Sequence, residues 1–231
     1  MPKKFFPAII FILVAMGTLA IGASLYRQLA CEGQPINNAV DPTEAQEIYG
    51  ERLVGQTFVA PRDGLNRIDL FFNTYNRRNT ATVTVRLLDL SEQPENPFQG
   101  VEIFRTSFSA ETLQDRTWHS LDLPPVRDSA QKPYLISIES PDGAPGNAIA
   151  VSGLEHNVYL PGSAYWGPGP LPADAAFRVC FELSFAEKVG ILAGQLTQHR
   201  PGLLGHFGFY GGLLAIYAVL IGWLFLRLAR L

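Results

Sequence analysis

The sequence predicts an all-β, jelly-roll-like antiparallel sandwich flanked by two transmembrane α-helices. Three observations predict it. Short segments in the middle of the chain alternate apolar and polar residues, an uncharged apolar segment lies near each end of the 231 residues, and basic residues flank both of those segments. Residues 54–185 are therefore assigned to an extracytoplasmic β-sandwich, and the two ends to the membrane.

The first apolar segment, residues 5–26, has no charged residue. As a helix it would be about 33 Å long, enough to cross the hydrocarbon core of a bilayer. Lys3 and Lys4 precede it, which predicts that residues 1–4 stay in the cytoplasm. A cleaved signal peptide is the alternative interpretation, but the apolar segment is longer than the usual core of such a peptide.

The second apolar segment, residues 207–226, is also uncharged, and Arg227 follows it directly. Residues 227–231 are accordingly predicted to be cytoplasmic, which places both termini on the same side. Small residues predict close packing between membrane helices, although membrane helices also tolerate glycine without any such contact. The candidate helix-packing positions are Gly208, Gly211, Gly212 and Gly17.

The charge distribution limits the partners. All 21 acidic residues lie between Glu32 and Glu187, and residues 26–207 contain 14 Lys and Arg, so that stretch has a net charge of 14 − 21 = −7. An acidic body argues against a nucleic-acid partner. Two membrane-embedded ends favour other integral membrane proteins and membrane lipid instead.

The strands follow from period-two alternation. Ile68, Leu70 and Phe72 share one face of a predicted strand, and the stretch 81–87 alternates in the same way. The polar residues 75–79 between these strands are predicted to close a hairpin. The full set of predicted strands is 55–60, 66–73, 81–87, 102–109, 117–123, 134–139, 148–152 and 175–185.

Several short stretches resemble landmarks of a known family. They are residues 55–60, 63–68, 140–142, 145–147 and 175–178. The resemblance, over about residues 50–183, is to extracytoplasmic jelly-roll sandwiches of bacterial membrane proteins, which are often associated with membrane glycosyltransferases and similar to carbohydrate-binding modules. It implies a fold and a compartment, and it supplies no catalytic residue.

Two segments lie outside the sandwich. Residues 27–53 are predicted to be a linker with a short helix. Residues 186–200 are predicted to form an amphipathic juxtamembrane helix, because apolar residues recur at helical spacing from Phe185. The alternative for this helix is that it packs beneath its own sandwich.

The two cysteines, Cys31 and Cys180, are predicted to form a disulfide in an oxidising compartment. Cys180 alternates with Phe177, Val179 and Phe181, so its side chain points away from the core face. The bond would tie the start of the domain to its last strand. Two free, buried thiols are the alternative.

Large aromatic residues indicate a candidate contact or glycan-binding loop. Tyr165 and Trp166 lie in a stretch rich in Gly and Pro, and Trp118 lies in a predicted strand. Aromatic rings stack on apolar faces of sugars and anchor protein interfaces, but they also complete cores.

No catalytic motif is recognised: the histidines lack metal-type spacing, and neither a nucleophile elbow nor a phosphate-binding loop is present. We therefore expect no enzyme activity, no cofactor and no metal. The expected function is a non-catalytic accessory or scaffold subunit of a bacterial inner-membrane complex, with the sandwich docking on partners at the outer face. The alternative is a carbohydrate-binding module linked to cell-envelope glycan synthesis, with glycan as its ligand.

Overall fold

The computed structural model describes residues 16–17, 29–33, 47–93, 95–154, 157–167, 169–198 and 200–229. The chain divides into two compact units. One consists of Cys31–Glu182 and contains every strand among the described residues, and the other joins Met1–Ala30 with Leu183–Leu231.

The described strands of the first unit are antiparallel, which confirms the predicted all-β character of this region. They are short, because turns rich in Gly, Pro, Asn and Asp interrupt the apolar alternation. The strands are β1 (Cys31–Gly33), β2 (Leu53–Val59), β3 (Leu65–Asn73), β4 (Thr82–Asp89), β5 (Val101–Ser109), β6 (Thr117–Val126), β7 (Pro133–Glu139), β8 (Ala150–Val151), β9 (Gly153–Leu154), β10 (Ala164–Trp166), β11 (Gly169–Pro170), β12 (Asp174–Ala175) and β13 (Phe177–Phe181).

These strands form two main sheets. The five-stranded sheet has the order β1-β13-β3-β6, with β8 also paired to β3, and the six-stranded sheet has the order β11-β10-β2-β7-β4-β5. β12 and β9 form a separate pair. Because β3 and β4 belong to different sheets, the hairpin predicted at residues 75–79 is wrong: the segment carries the chain from one sheet to the other.

The core lies between the inner faces of the two sheets. Phe58 of β2 packs on Tyr134 and Phe177, with ring centroids 5.5 and 5.9 Å apart, so aromatic contacts join the sheets directly. Alternate residues of each strand point into this layer and exclude water. Buried apolar side chains on the inner faces include Ile68, Leu70, Phe72, Val83, Val85, Leu87, Leu121, Leu123, Ile136, Ile138 and Val179.

The second unit contains α1 (Phe185–Thr197), a 3₁₀ turn (Gly202–Gly205) and α2 (Phe207–Ala229). α1 begins at Phe185 because Ser184 and Glu187 form a capping box, which satisfies backbone N–H groups at the helix start. The strand predicted to run to residue 185 therefore ends at Phe181. The Tyr210 hydroxyl lies 3.0 Å from the carbonyl oxygens of both Leu196 and Leu204, which holds α2 against the end of α1.

The predicted flanking transmembrane helices require a correction. Among the described residues, no helix combines the length and the apolar content that crossing a membrane requires. The prediction for residues 207–226 rested on the absence of charge. The predicted fold class, a sandwich flanked by two transmembrane helices, is therefore wrong.

Other predictions fall on parts of the chain that are not described. The first predicted span, residues 5–26, lies outside the described residues except for residues 16 and 17, which are helical. The cytoplasmic tail 1–4 and most of the linker 27–53 are also outside them. At the end of that linker, Ile48 forms an isolated antiparallel bridge with Ile149.

Candidate functional site

The predicted disulfide between Cys31 and Cys180 is confirmed. The two residues lie directly opposite each other on β1 and β13, with their Cα atoms 3.9 Å apart. The bond closes a loop across a sequence separation of 149 residues. It lies on the outer face of the five-stranded sheet, because Cys180 alternates with core residues of β13.

The same outer face carries an ion pair on β3. Arg67 Nε lies 2.9 Å from Asp69 Oδ1, and the Asp69 side chain is only 5% exposed. Arg67 Nη2 also donates to Cys31 Sγ at 3.2 Å. Both charged groups of β3 are therefore committed to neighbours within the sheet.

Beside this pair lies a stack of three side chains from three strands. Trp118 of β6 is opposite Phe71 of β3 and meets its ring edge to face at 5.4 Å between centroids. Arg178 of β13 extends across β3 and holds its guanidinium carbon 4.0 Å from the centre of the Trp118 ring. We call Arg67, Asp69, Phe71, Trp118 and Arg178 the arginine–tryptophan face.

The electrostatics of this face are unusual at Arg178. Burial lowers the pKa of its guanidinium, Asp69 opposes that effect, and the positive charge of Arg67 adds to it. In addition, Trp118 Nε1 is buried and has no hydrogen-bond acceptor in the described part of the chain. The face thus holds N–H donors without a matching number of acceptors.

The predicted contact residues are not brought together. Tyr165 and Trp166 lie on β10 of the six-stranded sheet, whereas Trp118 lies on the other sheet. Tyr165 packs edge to face on Phe98 at 6.2 Å. Both rings pack against a small apolar cluster of Leu88, Leu90 and Leu135. Tyr165 therefore serves packing on one side of that sheet.

Arg178, Arg67, Asp69 and Phe71 are not among the site residues predicted from the sequence. One signal was available for Arg178, because it alternates with the core residues Phe177 and Val179 and so must point outward. The contact between Arg178 and Trp118 could not be predicted, since alternation does not reveal that β6 and β13 both flank β3.

A mainly apolar groove of about 380 Å³ opens elsewhere on the same unit. The Tyr159 hydroxyl, which lines it, accepts from Val59 N–H at 3.3 Å and donates to Val59 O at 3.1 Å. At the rim, Glu32 forms an ion pair with Arg62. The polar groups of Tyr159 and Glu32 are thus engaged within the protein. The lining residues are Glu32, Gly33, Val59, Pro61, Gln131, Tyr159, Pro161, Phe177 and Val179.

Two further groups with shifted pKa values have structural causes. Burial lowers the pKa of His119, whose ring packs on Phe108 at 4.5 Å. Burial raises the pKa of Tyr134 to about 12, and nearby aspartates add to this. Among the described residues, the group with metal-ligand spacing is Cys31, Asp69 and Cys180, and its two sulfurs are bonded to each other.

The second unit exposes an apolar helix surface. All ten residues from 211 to 220 of α2 are exposed, and none is charged. Leu214 is 68% and Val219 is 70% exposed. An added Cβ at Gly208, Gly211 or Gly212 would meet no described atom within 4 Å, and the same holds at Gly17. No described residue therefore packs against the predicted helix-packing glycines.

Comparisons with known proteins identify no relative. No protein-family model matches the chain, and no curated protein matches it. Among solved structures, the crystal structure of a ruminal GH26 endo-beta-1,4-mannanase matches at 8% identity with a TM-score of 0.26. The match covers 59% of this chain and only 19% of the mannanase. A similarity at this level assigns neither family nor function, so the resemblance described above remains a prediction.

Proposed function

We propose that this protein is a non-catalytic accessory subunit of a membrane protein complex. In this proposal, partner subunits cover the apolar surface of α2, and the β-sandwich docks on them in an oxidising, extracytoplasmic compartment. The observation that carries the proposal is the exposed, uncharged stretch 211–220.

Ten consecutive helical residues make nearly three turns, so this stretch exposes apolar side chains around the whole circumference of α2. Contiguous exposed apolar surface is unfavourable in water and marks interaction sites. No atom of the described residues would lie within 4 Å of a Cβ at Gly208, Gly211 or Gly212, which would allow a partner helix to approach the backbone closely.

The compartment is supported by the disulfide between Cys31 and Cys180. Structural disulfides persist in oxidising compartments and are rare where thiols are kept reduced. An accessory role is also consistent with how the charged side chains Arg67, Asp69 and Glu32 are used, since each pairs with another group of the same unit.

The test is purification of the tagged full-length chain from its native host in a mild non-ionic detergent. We expect one or more partner proteins at a fixed molar ratio, measured by light scattering and quantitative mass spectrometry. Introducing charge into the apolar surface with Leu214→Asp and Val219→Asp should release them. Leu160→Asp is the matched control, because Leu160 is 87% exposed on the β-sandwich unit and lies outside α2.

Two results would contradict the proposal. One is recovery of the wild-type chain alone at every detergent concentration that keeps its disulfide and secondary structure intact. The other is retention of the same partners, at the same ratio, by the chain that carries both aspartates on α2.

A further inference from the structure

We infer that the arginine–tryptophan face is a docking site for a partner polypeptide that presents a single carboxylate to Arg178. The inference rests on the proposed role as a docking subunit and adds the surface of the β-sandwich that is used and the chemistry it recognises. It concerns the sandwich unit only and makes no use of α2.

The first argument is preorganisation. The Arg178 guanidinium lies 4.0 Å from the ring centre of Trp118, and Phe71 supports the indole from the side. A flexible arginine normally loses side-chain entropy when it binds a ligand. Here the stack has already restricted it, so less entropy is lost when a partner arrives.

The second argument is unused hydrogen-bonding capacity. Among the described residues, the Arg178 guanidinium forms no hydrogen bond and no ion pair besides its contact with the Trp118 ring. The neighbouring carboxylate, Asp69, is taken by Arg67. A half-buried guanidinium with free N–H groups in a fixed plane matches a carboxylate, which accepts two parallel hydrogen bonds.

The third argument concerns the class of partner. Arg178 covers one face of the Trp118 ring, so that face is closed to sugar stacking. Trp and Arg together are typical of the energetic centre of protein–protein interfaces. The exposed Asp122 lies on the same side of β6, four residues from Trp118, and would repel further acidic groups. The face therefore fits a segment with one acidic residue and not a polyacidic tract.

Trp118 itself provides the readout. The chain has three tryptophans, so Trp166→Phe and Trp223→Phe together leave Trp118 as the sole tryptophan, and excitation at a wavelength that tyrosine does not absorb reports on it alone. The full-length, disulfide-bonded chain in non-ionic detergent is titrated with a seven-residue peptide that has one central Glu between Val residues. The matched probe is the same peptide with Gln in place of Glu.

We expect the Glu peptide to change the Trp118 emission saturably and to bind about tenfold or more tightly than the Gln peptide, with the difference shrinking as salt rises. Arg178→Gln should remove that difference. Arg52→Gln is the matched control, because Arg52 stacks on Tyr49 at 4.0 Å in a different part of the unit. It should bind like the wild type.

Where Arg178→Gln prevents folding, judged by circular dichroism and disulfide formation, Arg178→Lys replaces it. Lysine keeps the charge but cannot form the two parallel bonds, so the preference for Glu should fall several-fold. Equal binding of both peptides, or an Arg178→Gln variant that still prefers Glu, would overturn the inference. A saturable response to galacturonic acid without one to the peptide would assign the site to a sugar acid and overturn it as well.

The co-purification and the peptide titration distinguish failure of the proposed function from failure of this inference. If the Glu peptide does not bind but partners still co-purify through α2, this inference is rejected and the proposed function stands. Peptide binding at Arg178 in a chain that purifies alone rejects the proposed complex and leaves a carboxylate-binding face.

Discussion

Gln56 and Asp174 hold each other inside the sandwich, 118 positions apart in the chain. The Gln56 side-chain amide donates to Asp174 Oδ1 at 3.3 Å, and its oxygen accepts from Ala175 N–H at 2.7 Å. Asp174 Oδ2 in turn accepts from the backbone N–H groups of Val158 and Tyr159, at 2.6 and 2.7 Å. This buried network ties β2, β12 and the loop that bears Tyr159 to one another.

The first prediction concerns Asp174→Asn. The new amide can keep either the two backbone donors or Gln56, but its NH₂ group must then face another donor in a buried site. We expect a loss of about 2–3 kcal/mol in the free energy of unfolding, measured by urea denaturation. Asp122→Asn, at an exposed position of β6, is the control and should change stability by less than about 0.5 kcal/mol. Equal effects of the two substitutions would show that the network does not contribute to the free energy of unfolding.

The second prediction concerns the disulfide. A bond that closes so long a loop restricts the unfolded chain, and the entropic model gives a contribution of about 3–5 kcal/mol. The variant with both Cys31→Ser and Cys180→Ser should therefore unfold at a lower urea concentration than the oxidised wild type. The reduced wild type, kept in dithiothreitol, should behave like the double variant. If oxidised and reduced chains have the same midpoint, the bond does not stabilise the domain.

Local alternation predicted much of the sandwich. The positions of Ile68, Leu70 and Phe72 on one face of β3 are confirmed, because a half-buried strand shows its inner face in every second residue. The same alternation placed Cys180 on the face of β13 opposite Val179, although its side chain is buried there, with only 3% of its surface exposed. These features depend only on residues close in sequence.

Features that depend on distant residues could not be predicted. The segment 75–79 has the length of a hairpin, but packing of two separate sheets decides that β3 and β4 do not pair. Trp118 and Arg178 meet because β6 and β13 both flank β3, and no local pattern shows this. The start of α1 is different, because its signal is local: Phe185 fits the alternation of the last strand, but Ser184 and Glu187 form a capping box that makes Phe185 the first residue of a helix.

The third prediction is a pH dependence at Asp115. Burial would raise the pKa of this carboxyl group, but hydrogen bonds from the Thr74 backbone N–H (2.7 Å) and hydroxyl (2.9 Å), together with the backbone N–H groups of Asn76 and Tyr75, outweigh burial and lower it. A pKa lower in the folded than in the unfolded state means that the carboxylate stabilises the fold above the unfolded value, near 4, and that this stability is lost as pH falls through the folded value.

Replacing Asp115 by Asn should therefore cost about 1 kcal/mol at pH 7 and flatten the fall in stability as the pH drops below about 4. The measurement is the urea midpoint as a function of pH for the wild type and the variant. Asp122→Asn again serves as the control, and its urea midpoint should fall at low pH as that of the wild type does. If the urea midpoint of Asp115→Asn falls at low pH as steeply as that of the wild type, other carboxyl groups cause the loss of stability in acid.

The fourth prediction tests the close approach of a loop to β2. A Cβ on Gly162 would overlap the backbone carbonyl oxygen of Thr57, and a backbone atom cannot move aside as a side chain can. The next residue, Ser163, forms a hydrogen bond at this close approach, because its N–H donates to the Thr57 hydroxyl at 2.8 Å. Gly162→Ala should separate these segments and cost about 2 kcal/mol or more in urea unfolding. Gly169→Ala is the control, since its Cβ would come no closer than 4.0 Å to the Trp166 carbonyl oxygen. If Gly162→Ala is as stable as Gly169→Ala, the loop does not lie against β2 at this distance.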